Sequence, residues 1–213
     1  MPLTPVQVRI LGCMLEKERT TPDNYPLTMN GLLSACNQTT NRHPVVHLDE
    51  PTVGNALANL RAENLVRIVY SRSNRADKFR HVLDEAMGLD GADMALLAVL
   101  MLRGPQTAGE LRTRSERLHP FEDQADVDEA MRRLAARQTP LVALLERQPG
   151  QKEARWAQVL GGELPEGERA VAVEPPGPSR ADRLSALEEA VATLSGDLTR
   201  LRAEHEALAA QLR

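Results

Sequence analysis

Apolar positions recur along this chain at helical spacing and then, at one point, at strand spacing. Val6, Ile10, Leu11, Met14 and Leu15 line one face of a first helix, whose start is marked by Thr4, with Pro5 in the first turn and Gln7 three residues after the cap. Two prolines and an Asp-Asn pair within Thr21–Pro26 oppose its continuation. Met29, Leu32, Leu33 and Cys36 then fall at i, i+3, i+4, i+7, and so do Val53, Ala56, Leu57 and Leu60 beyond a cap at Asp49. From Leu65 the period changes to two. Val66, Ile68 and Tyr70 alternate with Arg67, Val69 and Ser71, which predicts a half-buried strand. A turn at Ser73–Ala76 and a return over Lys78–Val82 complete a hairpin.

Three helices and a hairpin in this order predict a winged helix over residues 1–83, and the pattern then repeats over 84–160. Asp90 caps a helix reaching Arg103, Gly104-Pro105 stops it, and Thr107 with Glu110 forms a capping box for the next. Val127, Ala130, Met131 and Leu134 reproduce the stripe of Val53, Ala56, Leu57 and Leu60 at a constant offset of 74. Leu141–Arg147, the turn Gln148–Gln151 and Glu153–Leu160 predict a second hairpin. Residues 161–178, with four prolines, four glycines and four glutamates, read as a linker rather than a packed element. Leu184, Leu187, Val191, Leu194, Leu198, Leu201, Leu208 and Leu212 alternate spacings of three and four, interrupted by His205, so residues 179–213 predict a heptad-repeat helix. The expected fold class is mainly α with small β-hairpins: two tandem winged-helix domains and a C-terminal coiled-coil helix.

Some of these stretches carry a resemblance as well as a pattern. Thr20-Thr21-Pro22 through Tyr25-Pro26-Leu27, Ala35-Cys36-Asn37-Gln38 with Asn41-Arg42, Arg103–Thr107 with Gly109–Arg112, and Arg147–Gly150 resemble the YceH-like family of uncharacterised bacterial proteins. The resemblance spans roughly residues 3–160. It implies a tandem winged-helix fold and no established activity.

Composition narrows the function. Aromatics make up 2% of the chain, which argues against a base-stacking platform for single strands. No apolar run reaches membrane-spanning length and the N-terminus lacks a signal pattern, so the expected location is cytoplasmic, with no membrane partner. No nucleotide-binding, hydrolase or metalloprotease fingerprint occurs, so neither enzymatic activity nor a cofactor is expected. Cys13 and Cys36 lack a CxxC spacing and read as core thiols; Cys36, His43 and His47 match no compact zinc pattern, and no metal is expected.

The net charge of −4 is unevenly spread: residues 1–82 sum to +3, residues 83–160 to −3 and residues 161–213 to −4. Only the first third is therefore a candidate for phosphate contact. Its hairpin carries Arg67, Arg72, Arg75, Lys78 and Arg80 against Asp77 alone. Opposite the buried stripe of the third helix, Thr52, Asn55, Asn59 and Ala62 form an uncharged face, and asparagine pairs in bidentate fashion with adenine. Arg61 is the one cation between residues 50 and 63. The candidate nucleic-acid-binding set is thus Asn55, Asn59, Arg61, Arg67, Arg72, Arg75, Lys78 and Arg80, with affinity from the hairpin and selectivity from the asparagines. In the second repeat, Thr52, Asn55 and Asn59 become Asp126, Glu129 and Arg133, which opposes DNA binding in the same pose. The all-apolar helix Met94–Leu102 is expected at an interface, with the first module or with a second chain.

Double-stranded DNA is accordingly the expected partner of a dimeric regulator. In a parallel dimer the tail sets Arg183 against Glu188 and Asp197 against Arg202. The segment before the tail is not basic, so a bZIP arrangement fails. The rival reading is a scaffold that binds a protein and no nucleic acid, as tandem winged helices in chromosome-organising complexes do.

Overall fold

The starts of four helices are closed by the caps the sequence places there, Thr4, Asp49, Asp90 and Thr107. In the computed structural model, which describes residues 2–70, 76–162, 164, 167–173, 177 and 180–211, α1 spans Pro5–Thr20. The Thr4 hydroxyl accepts from Gln7 N at 3.3 Å, and the Gln7 side chain accepts from Thr4 N at 2.7 Å. A short turn of helix leads to β1 (Leu27–Thr28) and α2 (Met29–Cys36), which Thr28 caps. Helix α3 (Glu50–Ala62) begins where Asp49 accepts from Thr52 N at 2.9 Å. Strands β2 (Val66–Val69) and β3 (Lys78–His81) pair antiparallel, and β1 adds to the far edge of β3. The sheet order β1-β3-β2 completes the first winged helix.

The second module repeats the plan. After the short α4 (Leu83–Met87) come α5 (Gly91–Arg103), α6 (Ala108–Ser115) and α7 (Gln124–Ala135). Strands β4 (Val142–Leu145) and β5 (Trp156–Gln158) pair antiparallel, and Gln106 bridges to Trp156 where β1 lies in the first module. The stripes of α3 and α7 are both buried, so the sequence offset corresponds to a structural repeat. One expectation is corrected. Within residues 161–178, Ala170–Val171 form β6 on the free edge of β4, through Leu144↔Val171 and Leu145↔Ala170. Backbone pairing at a sheet edge needs no apolar signature, so composition alone missed it.

Residues 1–175 form one compact unit, and Pro176–Arg213 a second. In the second, α8 (Arg180–Gln211) is a single helix on which Leu184, Leu187, Val191, Leu194, Leu198 and Leu201 are exposed. Leu208 and Leu212 lie outside the described side chains.

Within the first unit the two modules share one hydrophobic cluster. Helix α5 is buried on every side from Asp93 to Leu102, because α1 of the first module packs on the face its own module leaves open. Gly12 sits at this crossing: a Cβ there would lie 2.9 Å from Met101 Cβ and 3.0 Å from Leu102 Cγ. The backbone bonds His43 N to Leu102 O (2.7 Å) and Leu3 N to Leu160 O (2.8 Å) tie the modules further.

The crossing can be tested by a pair of glycine substitutions with opposite expected signs. A methyl in a helix gains about 1 kcal/mol of propensity, whereas overpacking a tight core costs about 1–3 kcal/mol, and Met101 Cβ cannot swing aside. Urea melts of Gly12→Ala should show net destabilisation. Gly54→Ala in α3 meets only Met29 Cε at 3.8 Å and should be stabilising.

Candidate nucleic-acid interface

Helix α3 presents what its spacing predicts. Val53, Ala56, Leu57 and Leu60 face the core, while Thr52, Asn55, Asn59, Arg61 and Ala62 are exposed. Neither the Asn55 nor the Asn59 amide has a protein hydrogen-bond partner among the described residues. Two residues past the helix end, Asn64 stands in the left-handed region at φ 57°, a conformation asparagine tolerates better than most residues. Leu65 N then bonds back to Leu60 O at 2.9 Å, and this turn launches the hairpin directly from the helix.

The hairpin is less basic than its sequence implies. Arg67 Nη1 lies 2.8 Å from Glu85 Oε2, and Arg80 Nη2 lies 2.6 Å from Glu85 Oε1. One carboxylate on α4 thus engages two of the five wing cations. The Arg80 hydrogen bond, helped by the charge of both arginines, holds the Glu85 carboxyl below its ordinary range. Sequence counting missed Glu85 because the count stopped where the hairpin ended, five residues beyond Arg80. Of the remaining candidates, Arg61 and Lys78 have no ion pair among the described residues, and Arg72 and Arg75 lie outside those residues.

Tyr70 is a second correction. The alternation set it on the buried face with Val66 and Ile68, yet it is 79% exposed. Among the described residues, pairing in the hairpin ends at Val69↔Lys78, so Tyr70 lies past the last described rung.

In the second module, α7 carries the acidic counterpart of the α3 face. Arg133, at the position of Asn59, is turned back onto α5 and lies 2.7 Å from Asp93 and 3.2 Å from Asp90. The two modules therefore differ where the fold makes them equivalent.

The loop between α2 and α3 fixes where α3 sits, through a set of buried polar contacts. Asn37 brackets Leu48, donating from Nδ2 to its carbonyl and accepting at Oδ1 from its N–H, each at 2.8 Å. The fully buried Arg42 guanidinium forms a fork on Glu16 of α1 at 3.0 and 2.7 Å, and donates to Ala35 O, Asn41 O and Gln38 Oε1. Arg103 of the second module donates to Asn41 Oδ1 at 2.6 Å. Cys13 and Cys36 are buried beside this cluster; hydrogen bonding to Cys13 together with burial pushes the Cys36 thiol up.

With a tandem winged-helix class established, comparison with known proteins places the chain. Residues 3–151 match the family described as "Protein of unknown function, DUF480", and the chain belongs to that family. It is 48% identical to the UPF0502 protein GSU0233 of Geobacter sulfurreducens over 198 residues, covering 90% of each chain. To a UPF0502 protein of Pelobacter propionicus it is 44% identical over 207 residues, covering 95% of this chain and 94% of that one. A UPF0502 protein of Solibacter usitatus is 44% identical over 205 residues, covering 96% and 98%.

The Glu16–Arg42 pair makes stability depend on pH with a definite sign. Burial opposes ionisation of Glu16, but the bonds and charge of Arg42, with Lys17, outweigh it and hold the carboxyl below its ordinary value. A carboxyl depressed on folding stabilises above its unfolded pKa of about 4.3, and that contribution fades as pH falls through the folded value. Glu16→Gln leaves the Arg42 charge buried without a counter-ion, a loss of roughly 3 kcal/mol at neutral pH. Denaturant melts should show the gap between wild type and variant narrowing as pH falls below about 4.

Proposed function

We propose that this protein is a non-enzymatic, cytoplasmic, DNA-binding regulator in which the first winged helix contacts duplex DNA. The observation that carries the reading is the α3 face, where Asn55 and Asn59 stand exposed next to Arg61 with amides that no described residue engages. Lys78, with Arg72 and Arg75 from outside the described residues, supplies phosphate contacts, and Arg67 and Arg80 join them only by leaving Glu85. The second module acts as a partner for the first, since its equivalent helix is acidic and its core helix α5 is already covered by α1.

The tail is the dimerisation element of this reading. Six apolar heptad side chains of α8, from Leu184 to Leu201, are between 51% and 67% exposed, a stripe suited to an identical helix. Arg183 with Glu188 and Asp197 with Arg202 favour the parallel orientation, although Asp197 also lies 3.0 Å from Arg200 of its own helix. Exposed pairs of this kind contribute only about 0.2–1 kcal/mol each, so the apolar seam carries most of the association.

A protein-binding scaffold is the second reading, favoured by the Glu85 clamp on the wing and by exposed Tyr70, a residue type enriched in protein interfaces. Glu85→Gln separates the two. Under the DNA reading it releases Arg67 and Arg80, raises duplex affinity at low salt and steepens the slope of log K against log salt by about one to two. Under the scaffold reading neither duplex binding nor its salt dependence appears. The DNA reading is wrong if Arg72→Glu with Arg75→Glu leaves duplex affinity unchanged at low salt. Dimerisation has its own check: deleting residues 179–213 should halve the mass measured by light scattering.

A further inference from the structure

A cavity of about 430 Å³ opens where the start of α1, the loop before α3 and the end of α5 meet. Its walls are mostly apolar, including Val8, Pro44, Val46, Leu100 and Met101, and its polar side chains are Arg9, His43 and Gln158. The volume lies toward the lower end of the roughly 300–1,000 Å³ typical of small-molecule sites. Apolar walls with a few polar groups are what such sites share.

Arg9 is the unusual member. It is 6% exposed, yet no carboxylate lies within ion-pair distance among the described residues. Its guanidinium donates to two backbone carbonyls, from Nη2 to Pro44 O at 2.6 Å and from Nη1 to Cys36 O at 3.4 Å. Both acceptors are neutral, and a guanidinium has five N–H groups. The nearby Arg42 charge has the same sign and is already committed to Glu16. A buried cation is normally paired, because burial without an opposite charge is costly. Gln158 adds a further donor: its Oε1 accepts from Leu160 N at 2.8 Å, and its amide NH₂ has no protein acceptor among the described residues.

We infer that this cavity binds a compact organic carboxylate, with the carboxylate paired to Arg9 and the apolar body against the Val8, Val46 and Met101 walls. An anion there supplies the missing counter-charge through charge-assisted hydrogen bonds, and the walls exclude water from the pair. Because α1, the α2–α3 loop and α5 all contribute, an occupant touches both modules at their junction. The site does not depend on whether α3 contacts DNA.

Calorimetric titration of the full-length protein with sodium hexanoate, 1-hexanol and sodium acetate tests each part of the inference. Hexanoate should bind saturably, at least tenfold more tightly than either the neutral alcohol or the short acid. Equal binding of hexanol would reduce the site to an apolar hole, equal binding of acetate would reduce it to a bare charge, and the absence of saturable hexanoate binding would remove it; each overturns the proposal. Arg9→Gln should abolish the preference for hexanoate over hexanol, and retention of that preference also overturns it. Val46→Trp, on a half-buried wall position outside the core, keeps Arg9 and fills the cavity. It should cut hexanoate affinity at least tenfold with the melting curve preserved, and unchanged affinity refutes the assignment even where Arg9→Gln does not fold.

Discussion

Close approach of α1 to α5 at Gly12 is the constraint from which the rest of the first unit follows. A winged helix buries one side of its first helix and leaves the other open, and in the second module that open side is as apolar as the buried one. Without cover, Met94 through Leu102 would present a continuous hydrophobic surface to water. The two backbones meet closely only because position 12 carries no side chain, so the contact buries whole side chains on both sides of the crossing. Covering α5 in this way makes the two modules one body with one core.

The α2–α3 loop gains its meaning from that crossing. It passes over the end of α5, where His43 and Asn41 hold Leu102 and Arg103, and returns to α1 through Arg42 and Glu16. Arg42 makes bonds to five acceptor atoms on four groups from a buried position, so its charge is satisfied locally and α3 starts from an anchored point. Arg9, about two turns nearer the start of α1 than Glu16, is buried beside the same loop without such satisfaction. Two arginines in one helix–loop junction thus have opposite electrostatic states, and the difference is which of them a carboxylate reaches.

Charge on the candidate DNA face follows the same logic of local partners. Counting residues made the wing strongly basic. Folding brings Glu85 of α4 against its base, and two arginines spend their charge within the protein. What faces outward on α3 is mainly uncharged, so the polar amides and the cations of this face stand on different elements, the helix and the hairpin.

Much of this was legible without coordinates because it depends on neighbours in sequence. Caps at Thr4, Asp49, Asp90 and Thr107 act over three residues, and the stripes of α3 and α7 need only helical periodicity, so both emerged from the chain as written. The 74-residue offset exposed the repeat for the same reason. Glu85 on the wing, β6 on the edge of β4, the solvent-facing Tyr70 and the work of Asn37–His43 were not legible. Each depends on a partner, or on the lack of one, set by how one element packs against another rather than by periodicity within it. Local patterning determined which elements form and which faces they bury; the tertiary structure decided which charges are paired inside the molecule, because those pairs join elements that only folding brings together.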